Sequence, residues 1–406
     1  MHIFGTHDDN TRAQLAQVAQ RARRVALMAD GHVGYVMPIG GVAAYENAVS
    51  VVGVGFDIAC GNAAIPTNAT LADLGAKPGR GQKELERLAD RIAETVSFGV
   101  GRKNTADDAP TDDPLFDDPA WEAVPAQHRQ ALRTKARQQL GTVGSGNHYV
   151  DVFADESGTL WVGVHFGSRG FGHTVASNFL ALGQGKAWGE RAPEVEVLLE
   201  LHQPVGEAYW QLMNLAGRYA YAGREWVARK VVRLLGADEV ELVHNHHNFA
   251  WQEEHEGETV VVVRKGATPA FPGQKGFIGG SMGDDAVIVQ GTAATSPEAG
   301  ALQRAALFST VHGAGRVMSR TAAAGKRHRR TGRVIAEGRV TPEMMQSWVR
   351  RKGVILRGGG LDESPHVYRR LPDVLAAQGS TIELLHTLRP LVVVMAGADE
   401  FDPYKD

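Results

Sequence analysis

Residues 30–65 read DGHVGYVMPIGGVAAYENAVSVVGVGFDIACGNAAI. The stretch has no Lys or Arg and is dense in glycine and β-branched residues. It reads as short buried strands joined by tight turns. Working outward, the same character returns in GTVGSGNHYVDV (141–152), WVGVHFGSRGFGH (161–173), VELVHNHHNF (240–249), ETVVVVRKGAT (258–268), DAVIVQG (285–291) and LVVVMAG (391–397). Between these blocks lie helical stretches. Residues 10–28 place Leu15, Val18, Ala19 and Ala22 on one face,. Helices are also expected over 82–96 and 121–139, and over 194–236, where Pro204 and Gly223 suggest a break or a kink,. The segment GRKNTADDAPTDDPLFDDP (101–119) predicts a flexible acidic surface loop,. Glycine-rich motif blocks spread from residue 30 to residue 320, and a site assembled from all of them needs one integrated fold. The expectation is a single large mixed α+β domain over 1–406, with glycine-rich strands around a central site and helices at the periphery.

Composition bounds the function. The 406 residues carry a formal net charge of −3, so no globally basic nucleic-acid surface exists,. Hydrophobic residues make up 43%, enough for a substantial core,. No run is long and apolar enough for a membrane helix, and MHIFGTHDDN lacks the layout of a signal peptide, so no membrane association and a cytoplasmic location are expected,. A single cysteine excludes an intramolecular disulfide and a thiolate-rich zinc site,. Two basic runs, GKRHRRTGR (325–333) and VRRKG (349–353), are candidates for a solvated face or a track for a nucleic-acid backbone,.

Most of the chemistry-bearing residues sit beside glycines at strand ends. GNH presents His148, VHFGSRG presents His165, NHHNF presents His246 and His247, and VHGAGR presents His312. GFDIACG adds Asp57 and Cys60, three residues apart in one turn. Imidazole, carboxylate and thiolate are the ligand classes of a first-row transition metal, and this mixture is too soft for magnesium or calcium. Zinc, manganese, iron and cobalt all fit, and one thiolate serves two ions only by bridging. Arginines follow two of the histidines at a spacing of four, Arg169 after His165 and Arg316 after His312, with Arg320 four further on; Arg264 and Lys265 open RKGAT. Glycine-rich turns beside arginine suit phosphate oxygens. No GxxxxGK[ST] phosphate loop occurs,.

The ordered set D-x-H, GGVAA, GVGFDIACG, GTVGSGNH, VHFGSRG, HHNF, RKGAT, GSMG, HGAGRVMSR, DESP and LRPLVVV, from about Asp30 to Gly397, resembles the RtcB family of RNA ligases. The resemblance implies an RtcB-type fold around a dinuclear metal site. It implies GTP- and manganese-dependent joining of RNA 3′-phosphate or 2′,3′-cyclic phosphate ends to 5′-hydroxyl ends, as in RNA repair and tRNA splicing. It places Asp57, Cys60, His148, His165 and His247 as ligands of two Mn2+ ions, with Cys60 as the bridge, and His312 as the nucleophile that takes up GMP. It assigns Asn147, Asp151, Arg169, Asn248, Lys265, Ser281, Met282, Gly283, Gly313, Ala314, Gly315, Arg316 and Arg320 to nucleotide or phosphate binding. DNA ends are a further substrate class, and an archease-type activator is a partner of some relatives.

Several positions depart from the family pattern. Ala396 stands where lysine is usual, Ala286 where serine is usual, and Asp151 where glutamate is usual. Val311, Gly223 and VYR (367–369) also differ. The first three belong to the guanine end of the pocket, so altered nucleotide specificity is expected. Two other readings compete: capping or binding of 3′-phosphate ends without sealing, and a metal-dependent cyclic phosphodiesterase.

Overall fold

The computed structural model describes residues 1–74, 80–327, 331, 333–398 and 400. The basic run at 325–333 lies partly outside the described residues, as does most of the C-terminal tail. The main sheet runs in the spatial order Lys275–Ile278, Ala286–Gly291, Ile382–Met395, Tyr149–Ala154, Thr159–Phe166, Gly61–Thr70, Val243–His246, with Ile355–Arg357 parallel to Ile382–Met395. Its two ends approach each other. Phe277 donates its backbone N–H to Asn245 Oδ1 at 3.0 Å, and Asn62 Nδ2 donates to Phe277 O at 2.8 Å. Side-chain amides thus span the seam and supply the partners that an open strand edge would leave unmet, so the sheet is nearly closed.

A second sheet has the order His2–Ile3, Arg24–His32, Ile39–Tyr45, Glu258–Lys265, Asn248–His255. Strands from the 30–65 stretch feed both sheets, as its composition predicts, but Val51–Val54 forms one helical turn where a strand was expected. Ser50 caps it, its Oγ accepting from Gly53 N,. The helix expected over 10–28 covers only Asp9–Val18, and the chain from Arg24 is already strand. Val25 and Leu27 are buried there by sheet packing, which overrides the helical spacing read from Ala19 and Ala22,.

The stretch expected to be helical over 194–236 is broken at Pro204, since Leu198–Glu200 is strand and the helix Pro204–Leu235 begins there, but that helix then runs through Gly223 without interruption. Pro204 occupies the first turn, where its missing N–H is no loss,. Gly223 packs where an added Cβ would touch Phe166 and Leu140. The helix joins two cores: Tyr209, Leu212 and Tyr219 enter one, and Val227 and Val231 enter the core beneath the main sheet. The acidic segment also departs from its prediction at its C-terminal end. Asp113 and Asp118 cap two 3-10 turns, Pro114–Asp117 and Pro119–Ala123, and Phe116 is fully buried between them. Those aspartates are helix caps, not merely solvating charges. Among the described residues no helix is long and apolar enough to cross a membrane.

Candidate metal centre and nucleophile

Strand register assembles the candidate ligands. In the main sheet Gly61 lies opposite Phe166 on one side and His246 on the other. Cys60, His165 and His247 therefore meet at one end of three adjacent strands. The Cys60 carbonyl accepts from His247 N at 2.8 Å, tying the two loops together. His148 precedes the next strand, whose Tyr149 is in register with His165. Asp57 and Cys60 close a turn through Cys60 N–H to Asp57 O at 3.1 Å.

Two ligand sets result, and they share the thiol. Cys60, His165 and His247 form one; Asp57, Cys60 and His148 form the other. Cys60 Sγ lies 3.3 Å from His165 Nε2 and 3.6 Å from His148 Nε2, and His148 Nε2 lies 3.1 Å from Asp57 Oδ2. The outer nitrogens fix the rings. His148 Nδ1 lies 3.0 Å from Val143 O, and His165 Nδ1 lies 3.1 Å from Asn147 O. Each Nδ1–H donates to a carbonyl outside the cluster, which turns Nε2 inward, the arrangement of metal-binding histidines. Burial, and after it the crowding of neighbouring imidazoles, holds His165 and His247 well below the usual imidazole range, so both are neutral. His247 Nδ1 is buried without a hydrogen-bond partner. Burial pushes the Asp57 carboxyl up, but His148 and Arg169 outweigh it and bring its pKa to about 2. Burial, then Asp57, pushes the Cys60 thiol up. Neutral imidazoles, an ionised carboxylate and a shared sulfur suit one or two first-row cations, and a cation would offset the cost of the thiolate.

His312 adjoins this cluster, its ring 4.9 Å from that of His247 between centroids. It follows the short strand Ser309–Val311, which pairs with Ala267–Pro269. Its Nδ1 lies 2.6 Å from Oδ2 of the fully buried Asp30. The same oxygen accepts from the backbone N–H of His312 at 2.9 Å and of Gly313 at 3.2 Å. Gly315, at φ +74°, brings HGAGR so close to Asp30 that an added Cβ would overlap the Asp30 carbonyl,. Asp30 is a site residue that spacing did not reveal. It stands 282 residues from His312 and shows in the sequence only as the D of D-x-H. Its neighbour His32 is held to a pKa of about 4, chiefly by burial.

The five candidate ligands and His312 line one cavity of about 650 Å³. Of the remaining predicted residues, Asn147, Asp151, Asn248, Ser281, Met282, Gly313, Ala314, Gly315, Arg316 and Arg320 line it too. Three do not. Gly283 packs beside Trp348. Arg169 stands behind His148, its guanidinium 3.4 Å from Nδ1 and so close to Gly144 that any side chain there would overlap it. Lys265 is buried, donates to Val52 O at 2.9 Å, and is lowered by burial to about 8. Arg316 and Arg320 are engaged by acids. Arg316 donates to Asp362 O at 2.7 Å, and Arg320 pairs with Asp362 at 3.0 Å and with Glu363. His246 points away from the cluster. Its Nδ1 lies 2.8 Å from Arg224 Nη2, and Arg224, fully buried, also donates to Ala59 O at 2.9 Å and Phe166 O at 2.6 Å. Asp151, also on the cavity wall, is buried, its Oδ1 has no hydrogen-bond partner, and burial pushes its pKa well up.

Comparison with known proteins agrees with this assembly. The family described as tRNA-splicing ligase RtcB matches residues 12–396. The chain is 30% identical to the RNA-splicing ligase RtcB of Escherichia coli K12, over 95% of this chain and 94% of that protein. It is 30% identical to the tRNA-splicing ligase RtcB of Thermococcus kodakarensis, covering 95% and 91%. It is 31% identical to that of Archaeoglobus fulgidus, covering 90% and 86%. A match this extensive, carried by a fold that gathers the shared motifs into one cavity, places the chain in the RtcB family of RNA- and tRNA-splicing ligases.

Proposed function

We propose that this ligase joins RNA ends bearing a 3′-phosphate or 2′,3′-cyclic phosphate to 5′-hydroxyl ends, using GTP and two manganese ions, through a covalent His312–GMP. The observation that carries the reading is the position of His312: beside two ligand sets that share Cys60, with Nδ1 2.6 Å from buried Asp30. Asp57 and His148 would hold one ion, His165 and His247 the other, with Cys60 between them. Divalent cations bound there would neutralise phosphate oxygens and ease nucleophilic approach.

The chain's own residues do the rest. Asp30, 2.6 Å from Nδ1, would keep the His312 proton there as the ring turns into line, which leaves the lone pair on Nε2,. Nε2 attacks the α-phosphorus of GTP; the P–N bond forms as the bond to pyrophosphate breaks. Asp30 stabilises the positive charge that develops on the ring. An oxygen of the RNA 3′-phosphate then displaces His312 from GMP and forms a phosphoanhydride. The 5′-hydroxyl oxygen attacks the RNA phosphorus, loses its proton, and expels GMP. A cyclic end is first opened by water to the 3′-phosphate. Each displacement is easier than direct expulsion of oxide from a phosphate monoester.

The base end of the cavity supports a wider nucleotide choice than guanine alone. An ionised carboxylate accepts two N–H groups from a guanine edge, but a carboxyl held neutral by burial offers one donor and one acceptor, which also matches adenine. Burial pushes the Asp151 carboxyl toward that neutral form, and Ala396 brings no cation where the family pattern has lysine.

Gel analysis tests the reading. A 3′-phosphate RNA and a 5′-hydroxyl RNA, with manganese and GTP, yield a sealed strand with wild type and none with His312→Ala. A capped but unsealed strand would instead favour end capping. Opening of cyclic ends that survives His312→Ala, with no sealing, would favour a phosphodiesterase. DNA strands with the same ends form the comparison arm.

A further inference from the structure

Tyr35 stands on the wall of the active-site cavity with half its surface, 50%, open to solvent. Neither the family motifs for metal and nucleotide nor the proposed chemistry uses it. Its backbone is pinned by the first helix. Gln14 Oε1 accepts from Gly34 N at 3.0 Å, while Gln14 Nε2 donates to Gly34 O and Tyr35 O, both at 2.8 Å. Its ring meets Phe56 edge to face at 6.3 Å, and Phe56 rests on the His173 ring at 5.7 Å. The buried Lys265 ammonium lies 5.7 Å from the Tyr35 ring centre. A half-exposed aromatic is held in place by a clamped backbone, an aromatic edge and a cation, at the entrance to a cavity whose floor is built for phosphate chemistry. Val33 and Val317, both exposed, line the same cavity and add apolar surface to its wall.

We propose that Tyr35 is a stacking platform for the terminal nucleobase of the strand whose end enters the cavity. The inference rests on the nucleic-acid ligase reading above. Every base has a π-face, so stacking on a fixed ring orders the terminal nucleotide without reading its identity. The platform would hold the sugar-phosphate end still while His312 and the cations act on phosphorus, and a preorganised ring avoids the entropy cost of ordering one on binding.

A two-way cycle tests it by fluorescence anisotropy with short single-stranded RNAs, 3′-phosphate in one arm and 5′-hydroxyl in the other. Each RNA is made with a normal or an abasic terminal nucleotide. For the strand that uses the platform, Tyr35→Ala weakens binding of the normal RNA roughly tenfold, removing the base weakens wild type to the same degree, and the two losses do not add. Tyr35→Phe keeps wild-type affinity within about twofold, which separates stacking from loss of folding. Additive losses in both arms, or no loss with Tyr35→Ala, would overturn the platform while RNA binding itself stands. Failure of wild type to bind either RNA would overturn both the platform and the nucleic-acid reading.

Discussion

Asp30 Oδ2 lies 2.6 Å from His312 Nδ1 and also accepts the backbone N–H groups of His312 and Gly313. One buried carboxylate oxygen therefore fixes the path of the loop that carries the imidazole and stands against its Nδ1, which has no aligned hydrogen-bond partner of its own. Asp30→Asn keeps the shape but can present an N–H where the ring needs an acceptor. Transfer of label from α-labelled GTP to the protein should slow by on the order of 10²–10⁴-fold, with circular dichroism unchanged. A variant that labels at the wild-type rate would remove Asp30 from the mechanism.

Cys60 belongs to both ligand sets. Cys60→Ala should therefore weaken both cation sites, whereas His247→Ala should weaken chiefly the site formed with His165. Metal content after dialysis, by mass spectrometry of the elements, reads this directly. Full retention of bound manganese by Cys60→Ala would contradict a shared thiolate.

Arg224 supports the centre from behind. Its side chain is fully buried and donates to the carbonyls of Ala59 and Phe166, each next to a candidate ligand or its strand end. Arg224→Met leaves those carbonyls without their partner, at about 1–3 kcal/mol for each buried group. Urea denaturation should show a loss of that order together with weaker metal retention. A fully stable variant would mean that water takes the guanidinium's place.

Lys265 gives stability a particular pH dependence. Burial lowers its pKa to about 8 from an ordinary 10.5. Between those values the unfolded chain binds more protons than the folded one, so stability rises with pH across the window. Relative to Lys265→Met, the wild type should gain up to about 3 kcal/mol from pH 8 to 10.5. A flat difference between the two unfolding curves would show that the ammonium is not desolvated as described.

Phe116→Ala separates a packed segment from a solvated one. The ring is fully buried, so truncation should cost about 3–5 kcal/mol in denaturant unfolding. A cost below about 1 kcal/mol, as for an exposed position, would return 101–119 to the surface loop that its composition suggests.

These residues show where the sequence was readable and where it was not. Asp57, Cys60, His148 and His165 each sit beside glycines at a strand end, and His247 in a histidine pair, so local pattern marked them as candidates, and the fold brings them together. Local pattern could not say which of two adjacent histidines faces the cluster. His246 ends its strand and turns to Arg224, while His247, in the bend before the next strand, faces the cavity. Nor could it pair Asp30 with His312, since that contact depends on strand placement across most of the chain. Phe116 hid within a run of Asp and Pro because capping aspartates and solvating aspartates look alike in composition. The seam closed by Asn62 and Asn245 was equally hidden, since a side-chain amide that replaces a strand partner leaves no periodic signal. The same limit applies to Lys265: its place in RKGAT suggested phosphate, yet the fold buries its ammonium against Val52 O.

The central claim is that His312 is the nucleophile that takes up the nucleotide. Intact-protein mass spectrometry after incubation with manganese and GTP, followed by peptide mapping, tests it most directly. The account predicts one GMP added per chain, on His312, with no addition to His312→Ala. An adduct on another residue, or one that persists in His312→Ala, would contradict it.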